Sequence, residues 1–444
     1  MKNKFSLLFF VFLSFSINSN AQAGFHFLNK NKHHQQINFK LINNLIVIPL
    51  QVNNKKLHFI LDTGVNKTIL FNISKNDSIG LNNIKKVKLQ GLGKGEPVEA
   101  LISKNNHLSI KKVTSKTETV FVILKDYFDL SRKMGATIHG IIGYNLLKDF
   151  IVKINYKKQT IDFYNPETFS YGKCKKCEVF PIKFYRKKPF INIKVQLDTI
   201  GTKLLDVKML IDSGGSDAVW LFENSKKEIK TPLRYFNDIL GEGLSGAIYG
   251  NRSRMPKIKI GSFEIEKPTV SFLDSLSSKN ARRFKERNGS IGAGILKRFK
   301  VWIDYPNQKI TLKKNGSFSS GFNYNMSGLD IAYDGKQLVK EEVVKKFEQI
   351  NQAGGDKSIN FITNYVYKFK PSFVIDNVVK NSPGEKAGLL KGDVILKINR
   401  KPSHEFTLND IIYKFQLKDN KKIRMQISRN GEVMKFQFRL KKKI

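Results

Sequence analysis

The sequence predicts a mainly β protein in which two homologous lobes precede a smaller α+β domain. The first observation is a duplication: two apolar, strand-like runs, at 57–64 and 207–214, each end in an Asp, a small hydroxyl residue and a Gly. The second is a change of pattern after residue 315, where a polar glycine-serine stretch leads into an unrelated motif. The chain length of 444 residues is enough for two or three domains of ordinary size.

The composition indicates a folded protein with an unusual charge. Hydrophobic residues make up 41% and charged residues 26%, which excludes wholesale disorder, but 78 Lys and Arg against 37 Asp and Glu leave a net charge of +41. Lys far outnumbers Arg, and no helix-turn-helix, zinc-finger or RRM signature occurs, so no nucleic-acid partner is predicted. Adhesion to anionic surfaces stays open.

The first 23 residues are typical of a secretory signal peptide. Two lysines precede an apolar run from residue 5 to about 15, and Ala21 and Ala23 supply the small-x-small cleavage pattern. The run is too short for a spanning helix, and the later chain has no run near 18 apolar residues, so no transmembrane segment is expected after signal removal. We therefore expect an exported protein, periplasmic or secreted.

The two cysteines of the chain lie close together. Cys174 and Cys177 fall in residues 171–179, between the two lobes, which we interpret as an inter-lobe linker. In an oxidising compartment a small disulfide loop is the first interpretation, and a redox or metal role is the second, since no other Cys/His pair lies nearby.

The duplication extends well beyond the Asp-Thr/Ser-Gly triplets. A Gly-x-x-Gly segment follows at almost equal distances in each copy, at 140–143 and 289–292, and each copy closes with a pair of strands. A glycine-rich segment lies between these landmarks in each copy, at 91–95 and 241–246. We assign 24–170 to the first lobe and 180–315 to the second.

The repeated carboxylate is the strongest chemical signal. A buried carboxylate is costly unless it is paired or hydrogen-bonded. The positions of Asp62 and Asp212 at the ends of equivalent apolar strands therefore indicate that the two lobes face each other and bring the two carboxyl groups together. The two acids would then meet across a pseudo-twofold axis and share a proton, because two adjacent carboxylates cannot both ionise cheaply.

With these residues in place, the two lobes resemble the aspartic peptidases of the pepsin and retropepsin type. The resemblance implies a bilobal double β-barrel in which Asp62 and Asp212 form the catalytic pair. It also implies that the neighbouring residues support the catalytic loops: Thr63, Gly64, Ser213 and Gly214. Those enzymes often place Ser or Thr after each triplet, and here Val65 and Gly215 depart from that pattern.

The same resemblance implies two substrate-covering flaps, one in each glycine-rich segment. Their candidate residues are Gly91, Gly93, Gly95, Gly241 and Gly243.

The C-terminal part, 321–444, resembles a PDZ domain. The run 382–399 follows the pattern Ser-Pro-x-x-x-Ala-Gly-Leu-x-x-Gly-Asp, with Arg400 where Gly is usual. The resemblance implies a carboxylate-binding loop at Ser327, Gly328 and Leu329, and a groove helix over 407–417, which would capture protein C-termini. Apolar spacing between the two halves of the domain predicts an inserted amphipathic helix at about 337–352.

Together these features predict an exported aspartic endopeptidase. It would hydrolyse peptide or unfolded protein substrates with a water molecule activated between two carboxylates, without a metal or organic cofactor, and its PDZ domain would guide the substrate. The alternative is a non-catalytic protein that holds peptides in the peptidase-like cleft and the PDZ groove. The presence of both aspartates favours the enzyme.

Overall fold

The structure is a computed structural model and is mainly β. It describes residues 24–444 except 74–78, 92–94, 125–128, 198–200, 244–245 and 351–356, and leaves out the side chains of 242, 347–350 and 357–360. The predicted signal peptide lies outside the described residues. In the part of the chain that is described, no helix is long and apolar enough to span a membrane.

The first lobe is built on a sheet that closes on itself. Its elements are β1 (His26–Phe27), β2 (His34–Asn38), β3 (Lys40–Ile42), β4 (Leu45–Val52), β5 (Lys55–Leu61), β6 (Thr68–Leu70), β7 (Lys85–Leu89), β8 (Val98–Ile110), β9 (Val113–Val122), α1 (Leu130–Met134), β10 (Gly140–Ile142), α2 (Tyr144–Leu147), β11 (Ile151–Asn155) and β12 (Thr160–Tyr164). The order β9-β6-β10-β5-β4-β8 becomes a barrel because β8 also pairs with β9.

The second lobe repeats this plan around a curved sheet. Its elements are β13 (Cys177–Pro181), β14 (Lys183–Tyr185), β15 (Lys188–Gln196), β16 (Leu205–Asp212), β17 (Val219–Phe222), β18 (Phe236–Gly243), β19 (Gly246–Arg254), β20 (Lys257–Ile260), β21 (Phe263–Glu266), β22 (Thr269–Leu273), α3 (Ser275–Ser278), a 3-10 turn (Ala281–Arg283), β23 (Gly289–Gly292), α4 (Ala293–Leu296), β24 (Phe299–Asp304) and β25 (Lys309–Lys314). The sheet order is β18-β19-β22-β17-β23-β16-β15-β20-β21.

A third sheet joins the two lobes. Its order, β13-β25-β24-β11-β12-β2, is symmetric about the central antiparallel pair β11–β24, in which Val152 faces Ile303 and Ile154 faces Val301. All four side chains are buried in one core that runs through both lobes. Burial of each such side chain contributes about 1.5–3 kcal/mol, so this sheet holds the lobes in a fixed, pseudo-twofold arrangement.

The connections on either side of the second lobe are ordered. Cys174 and Cys177 form a disulfide at the start of β13. The first three residues of this strand, 177–179, belong to the predicted inter-lobe linker. The polar stretch 315–321, which connects the second lobe to the C-terminal domain, wraps around the buried Arg298. The Arg298 guanidinium donates to the backbone carbonyl groups of Ser317, Phe318, Ser320 and Gly321.

The C-terminal domain has its own sheet and core. Its elements are β26 (Leu329–Ile350), β27 (Lys357–Val378), α5 (Pro383–Lys386), β28 (Val394–Ile398), β29 (Lys401–Pro402), a 3-10 turn (Ser403–Glu405), α6 (Leu408–Lys414), β30 (Lys422–Arg429) and β31 (Glu432–Arg439). The predicted groove helix is α6, and a capping box between Thr407 and Asp410 sets its start. Its inner face packs Ile411 and the following Phe415 into the domain core.

The inserted helix predicted at about 337–352 is wrong. Residues 336–350 continue β26 as one strand of a long hairpin, paired with 357–371 of β27, while 351–352 lie outside the described residues. The apolar spacing fitted a helical period, but β-branched Val339, Val343 and Val344 favour an extended backbone. The aromatic residues of the second strand, which lies beyond the predicted helix, provide the cross-strand partners.

The C-terminal domain packs against both lobes. Arg132 of α1 donates to Asp376 at 2.8 Å, and the backbone N–H of Asn43 donates to the side chain of Asn409 on α6 at 3.1 Å. On the second lobe, Phe236 at the start of β18 lies 5.4 Å from Tyr324, measured between ring centroids. The domain therefore contacts both lobes directly, in addition to its covalent connection to the second lobe.

Candidate active site

The two predicted aspartates lie at the ends of equivalent strands. β5 ends immediately before Asp62 and β16 ends at Asp212. In each lobe the Gly-x-x-Gly segment forms a short parallel neighbour, β10 beside β5 and β23 beside β16. The Asp62 N–H donates to Ile142 of β10 at 2.8 Å, so the loop after the strand is fixed by the adjacent strand.

The glycines of those neighbouring strands allow the close approach. A Cβ atom on Gly143 would lie 1.9 Å from the carbonyl oxygen of Asp62, and one on Gly292 would lie 2.3 Å from that of Asp217. A side chain at either position would push the aspartate loop away, which explains the repeated glycine on physical grounds.

Thr63 and Ser213 lock the two loops together. The Thr63 N–H donates to Ser213 Oγ at 3.0 Å, and the Ser213 N–H donates to Thr63 Oγ1 at 2.9 Å. Each hydroxyl then donates across the interface, Thr63 to the Ile211 carbonyl at 2.7 Å and Ser213 to the Leu61 carbonyl at 2.8 Å. Both side chains are fully buried, so the four bonds tie the aspartate loops rigidly to each other.

The loops bring the two carboxyl groups into one site. A Cβ atom on Gly64 would lie 3.1 Å from both Asp62 Oδ1 and Asp212 Oδ1, and one on Gly214 would lie 2.2 Å from Asp62 Cγ. The Gly64 N–H donates to Asp62 Oδ1 at 2.7 Å. Two carboxyl groups that face one site oppose each other's ionisation, which favours one proton on the pair.

Burial controls the ionisation of the pair. It raises the pKa of Asp62 to about 7, and the neighbouring charge of Asp212 acts in the same direction. The Gly64 N–H and the charge of Lys188 act the other way, but they do not outweigh burial. At mildly acidic pH the arrangement therefore holds one proton between two carboxyl groups.

Two cations near the pair were missed at the sequence level. The charge of Lys188, the first residue of β15, acts on both aspartates; burial and the charge of Arg287 lower the pKa of Lys188. Burial lowers the pKa of Arg287 to about 10, whereas the charge of Asp212 raises it. Neither residue lies in a recognisable motif: strand register brings Lys188 to the site, and Arg287 lies in the loop just before β23.

Val65 and Gly215 contribute only backbone groups to the hydrogen bonds of the aspartate loops. The Val65 carbonyl accepts from the Tyr144 N–H at 3.1 Å, and the Gly215 carbonyl accepts from the Ala293 N–H at 2.7 Å. Neither side chain has a group that could donate to a carboxylate. The departure from the Ser/Thr pattern therefore leaves the aspartates with fewer side-chain donors than that pattern would supply.

A polar network connects the loop after Asp212 to the second flap. Arg252 on β19 donates to Asp217 at 2.9 Å and to Asp238 on β18 at 2.6 Å. Trp220 Nε1 donates to the other oxygen of Asp217 at 2.8 Å. A small cavity beside the loop is lined by Asp212, Gly215, Asp217, Val219, Trp220, Ser290 and Gly292.

The predicted flap residues lie in hairpins. Gly241 and Gly243 are at the end of β18, close to the turn into β19. Gly91 and Gly95 lie in the connection between β7 and β8, whereas Gly93 lies outside the described residues. The Gly91 carbonyl accepts from the side chain of Asn280 at 2.9 Å, so this loop reaches from the first lobe to the second.

The predicted carboxylate-binding loop has internal partners for two of its N–H groups. The Ser327 N–H donates to Asn325 at 3.0 Å, and the Leu329 N–H donates to Ser327 Oγ at 3.0 Å. Gly328 has φ +75° and lies against Ser382. A peptide carboxylate would have to displace the Ser327 hydroxyl to reach the Leu329 N–H. Within the described residues, no group of three or more His, Cys, Asp or Glu could hold a metal ion.

Two family models match parts of the chain. Residues 48–146 match the family model of the aspartyl protease, and residues 374–429 match that of the PDZ domain. One similar solved structure is the aspartic proteinase from Irpex lacteus, which is 11% identical; the match covers 65% of this chain and 99% of that chain, with a TM-score of 0.44. No curated protein matches the chain. The chain thus contains a match to the aspartyl protease domain in its first lobe and a match to the PDZ domain at its C-terminal end.

Proposed function

We propose that the protein is an exported aspartic endopeptidase that hydrolyses peptide bonds between its two lobes. One observation carries the proposal: Asp62 and Asp212, at equivalent places in a duplicated fold, bring their carboxyl groups into one site whose two loops are locked together by Thr63 and Ser213. A structural role alone would not need two adjacent carboxyl groups, which oppose each other's ionisation.

A shared proton gives the two acids complementary roles. The carboxyl group that carries the proton polarises the scissile carbonyl, and its partner acts as the general base: it takes a proton from the bound water as the oxygen of that water attacks the carbonyl carbon. The proton on the first carboxyl group stabilises the developing oxyanion. When the C–N bond then breaks, the second carboxyl group passes the proton that it took from water to the leaving amine.

The proposal includes a guiding role for the PDZ domain. Its contacts with α1 and with Phe236 at the base of the second flap support a position close to the cleft. A substrate held at the domain would then have a raised local concentration near the aspartates. Removing the domain should raise KM for long, unfolded substrates and leave kcat for a short peptide nearly unchanged.

Export is part of the proposal and rests on two features. The first 23 residues have the pattern of a signal peptide, and the disulfide between Cys174 and Cys177 is typical of an oxidising compartment. Expression of the full chain in a bacterial host, followed by fractionation and N-terminal sequencing, tests it. A mature protein that starts at Gly24 outside the cytoplasm is expected, and a cytoplasmic protein that keeps residues 1–23 contradicts it.

The activity is tested with unfolded casein, with and without pepstatin. Pepstatin-sensitive cleavage is expected, and Asp62→Asn or Asp212→Asn should each reduce it by at least about a hundredfold. The exposed aspartate Asp206, on the same strand as Asp212, provides the matched control Asp206→Asn, which should keep full activity. Intact casein that binds to the protein would instead favour the non-catalytic peptide-binding alternative.

A further inference from the structure

The long hairpin of the C-terminal domain extends away from the rest of its sheet. Beyond the pairing of Lys336 with Pro371, the strands β26 and β27 pair with each other over residues 336–350 and 357–371. β27 meets the next strand of the sheet only at Val374. At about 3.4 Å per residue, this part of the hairpin, here called the arm, is roughly 48 Å long.

The arm has one apolar face. Directly paired residues of an antiparallel ladder lie on the same face, and successive pairs alternate between the two faces. The pairs Leu338–Phe369, Lys340–Tyr367, Glu342–Tyr365, Val344–Thr363 and Lys346–Phe361 therefore share a face. We call it the aromatic face; its large apolar side chains are Leu338, Val344, Phe361, Tyr365, Tyr367 and Phe369.

These six side chains are exposed, each with between 56% and 71% of its surface accessible. None of them belongs to a hydrophobic cluster formed by the described residues. Six large apolar side chains exposed on one face of a protein mark an interaction site, since scattered exposed residues would not align on one face. An isolated two-stranded ribbon is also only marginally stable in water, so burial of this face would stabilise it.

The opposite face of the arm carries polar and aliphatic side chains, the latter being Val339, Val343, Ile362 and Val366, and no aromatic ring over 336–346 and 361–370. Glu341 accepts ion-pair contacts from Lys368 at 2.7 Å and from Lys370 at 2.9 Å on that face. Over 336–346 and 361–370 the arm carries six lysines and two glutamates. On the aromatic face itself, Lys340 Nζ lies 3.8 Å from the centre of the Tyr365 ring. The arm is thus amphipathic, with aromatic rings on one side and excess positive charge along its length.

The charge distinguishes between the surfaces that could cover the aromatic face. A second copy of the chain would bring together two molecules of net charge +41, which repel each other. A bilayer that contains anionic lipids has the opposite charge and attracts lysines near its surface. Tyr and Phe beside Lys is also the composition of segments that lie in the membrane interface, where rings are buried and ammonium groups reach the headgroups.

We propose that the aromatic face of the arm binds the surface of an anionic lipid bilayer and holds the protein there without crossing it. The six apolar side chains enter the headgroup region, and the three lysines on the same face, Lys336, Lys340 and Lys346, contact anionic headgroups. The ion-paired face stays in water. This binding does not depend on the aspartates, so it stands or falls separately from the proposed peptidase activity.

Co-sedimentation of the full chain with vesicles tests the proposal. Vesicles of phosphatidylcholine with phosphatidylglycerol should bind the protein more tightly than phosphatidylcholine alone, and added salt should weaken the binding. The double variant Phe361→Ser/Tyr367→Ser should bind at least about tenfold more weakly. The matched control Ile362→Ser/Val366→Ser removes two apolar residues from the opposite face of the same strand and should bind like the unchanged protein.

Tryptophan probes provide a second, position-specific readout. In Tyr367→Trp the indole lies on the aromatic face, and brominated lipids should quench its fluorescence; in Val366→Trp it lies on the opposite face and should stay unquenched. Residues 1–23 are the same in every variant, so any lipid affinity of their own does not affect the comparison. Absence of lipid-dependent binding, or equal losses in the two double variants, would overturn the proposal. A dimer in light scattering that only Phe361→Ser/Tyr367→Ser dissociates would assign the face to a second copy.

Discussion

Lys188 and Leu45 occupy equivalent positions in the two lobes. Lys188 lies on β15, two residues beyond the pair Phe190–Leu210, so the register would place it opposite Asp212. Leu45 lies on β4, two residues beyond the pair Val47–Ile60, so the register would place it opposite Asp62. The first lobe therefore has a buried leucine next to its aspartate, and the second has an ammonium group. The duplicated site is chemically asymmetric at this position.

The first prediction concerns this lysine. Lys188→Met removes a positive charge that lowers the pKa of Asp62, so the dyad should release its protons at higher pH and the bell-shaped profile of kcat/KM should shift upward. The measurement is cleavage of a fluorogenic peptide across the pH range. Lys187→Met, which alters the exposed neighbour, is the control and should leave the profile in place. An unchanged profile in Lys188→Met would show that the ammonium group does not act on the dyad.

The second prediction concerns the bonds between the loops. Thr63→Val keeps the shape of the side chain but leaves the Ser213 N–H and the Ile211 carbonyl without their partner, so unfolding free energy should fall by about 2–3 kcal/mol. Activity should fall at least about tenfold because the carboxyl groups lose their alignment. Chemical denaturation and peptide cleavage are the measurements, with Thr160→Val at a partly exposed strand position as the control.

The same pair allows a test of coupling. Ser213→Ala should destabilise the protein by a similar amount, and the double variant Thr63→Val/Ser213→Ala should lose less than the sum, because both residues belong to one network. Fully additive losses would mean that the two loops are held independently.

The residues of the site that could be predicted from the sequence are those that lie in local, repeated motifs. Asp62, Thr63 and Gly64 are adjacent and recur as Asp212, Ser213 and Gly214, so their pairing follows from the duplication. Lys188 and Arg287 could not be found in this way, since Lys188 reaches the dyad through strand register and Arg287 from the loop before β23, and neither belongs to the repeated motifs.

The fold prediction failed where two periodicities competed. Residues 338–350 fit a helical spacing when read alone, and no local signal shows that 361–369 will pair with them. Long-range pairing decides the outcome, because cross-strand contacts are the unit of sheet stability. The role of the stretch 315–321 could not be predicted for a related reason: its backbone carbonyl groups accept hydrogen bonds from Arg298, which no local pattern indicates.

The third prediction concerns the stretch 315–321. A chain that ends after Phe322 keeps the carbonyl groups that bind Arg298, as well as the ring that lies 3.6 Å from its guanidinium carbon, and should fold and cleave a short peptide. A chain that ends after Lys314 leaves a buried guanidinium without these acceptors and should be less stable by about 3 kcal/mol or more. Thermal unfolding compares the two chains. A folded but inactive chain ending after Phe322 would show that the PDZ domain is needed for the chemistry.

The fourth prediction links the dyad to stability. Asp62 has an ordinary pKa of 3.8 when unfolded and about 7 when folded, so the folded state binds its proton more tightly. The stability that comes from this proton is fully present below the unfolded pKa and is lost as the pH rises through about 7. Asp62→Asn has no such titration, so it should be more stable than the unchanged protein by up to about 4 kcal/mol above pH 7 and by little near pH 4. Urea denaturation at both pH values measures this difference, with Asp206→Asn as the control for loss of an exposed charge. Equal stability of Asp62→Asn and the unchanged protein at both pH values would mean that the Asp62 carboxyl group is not held in a proton-sharing pair.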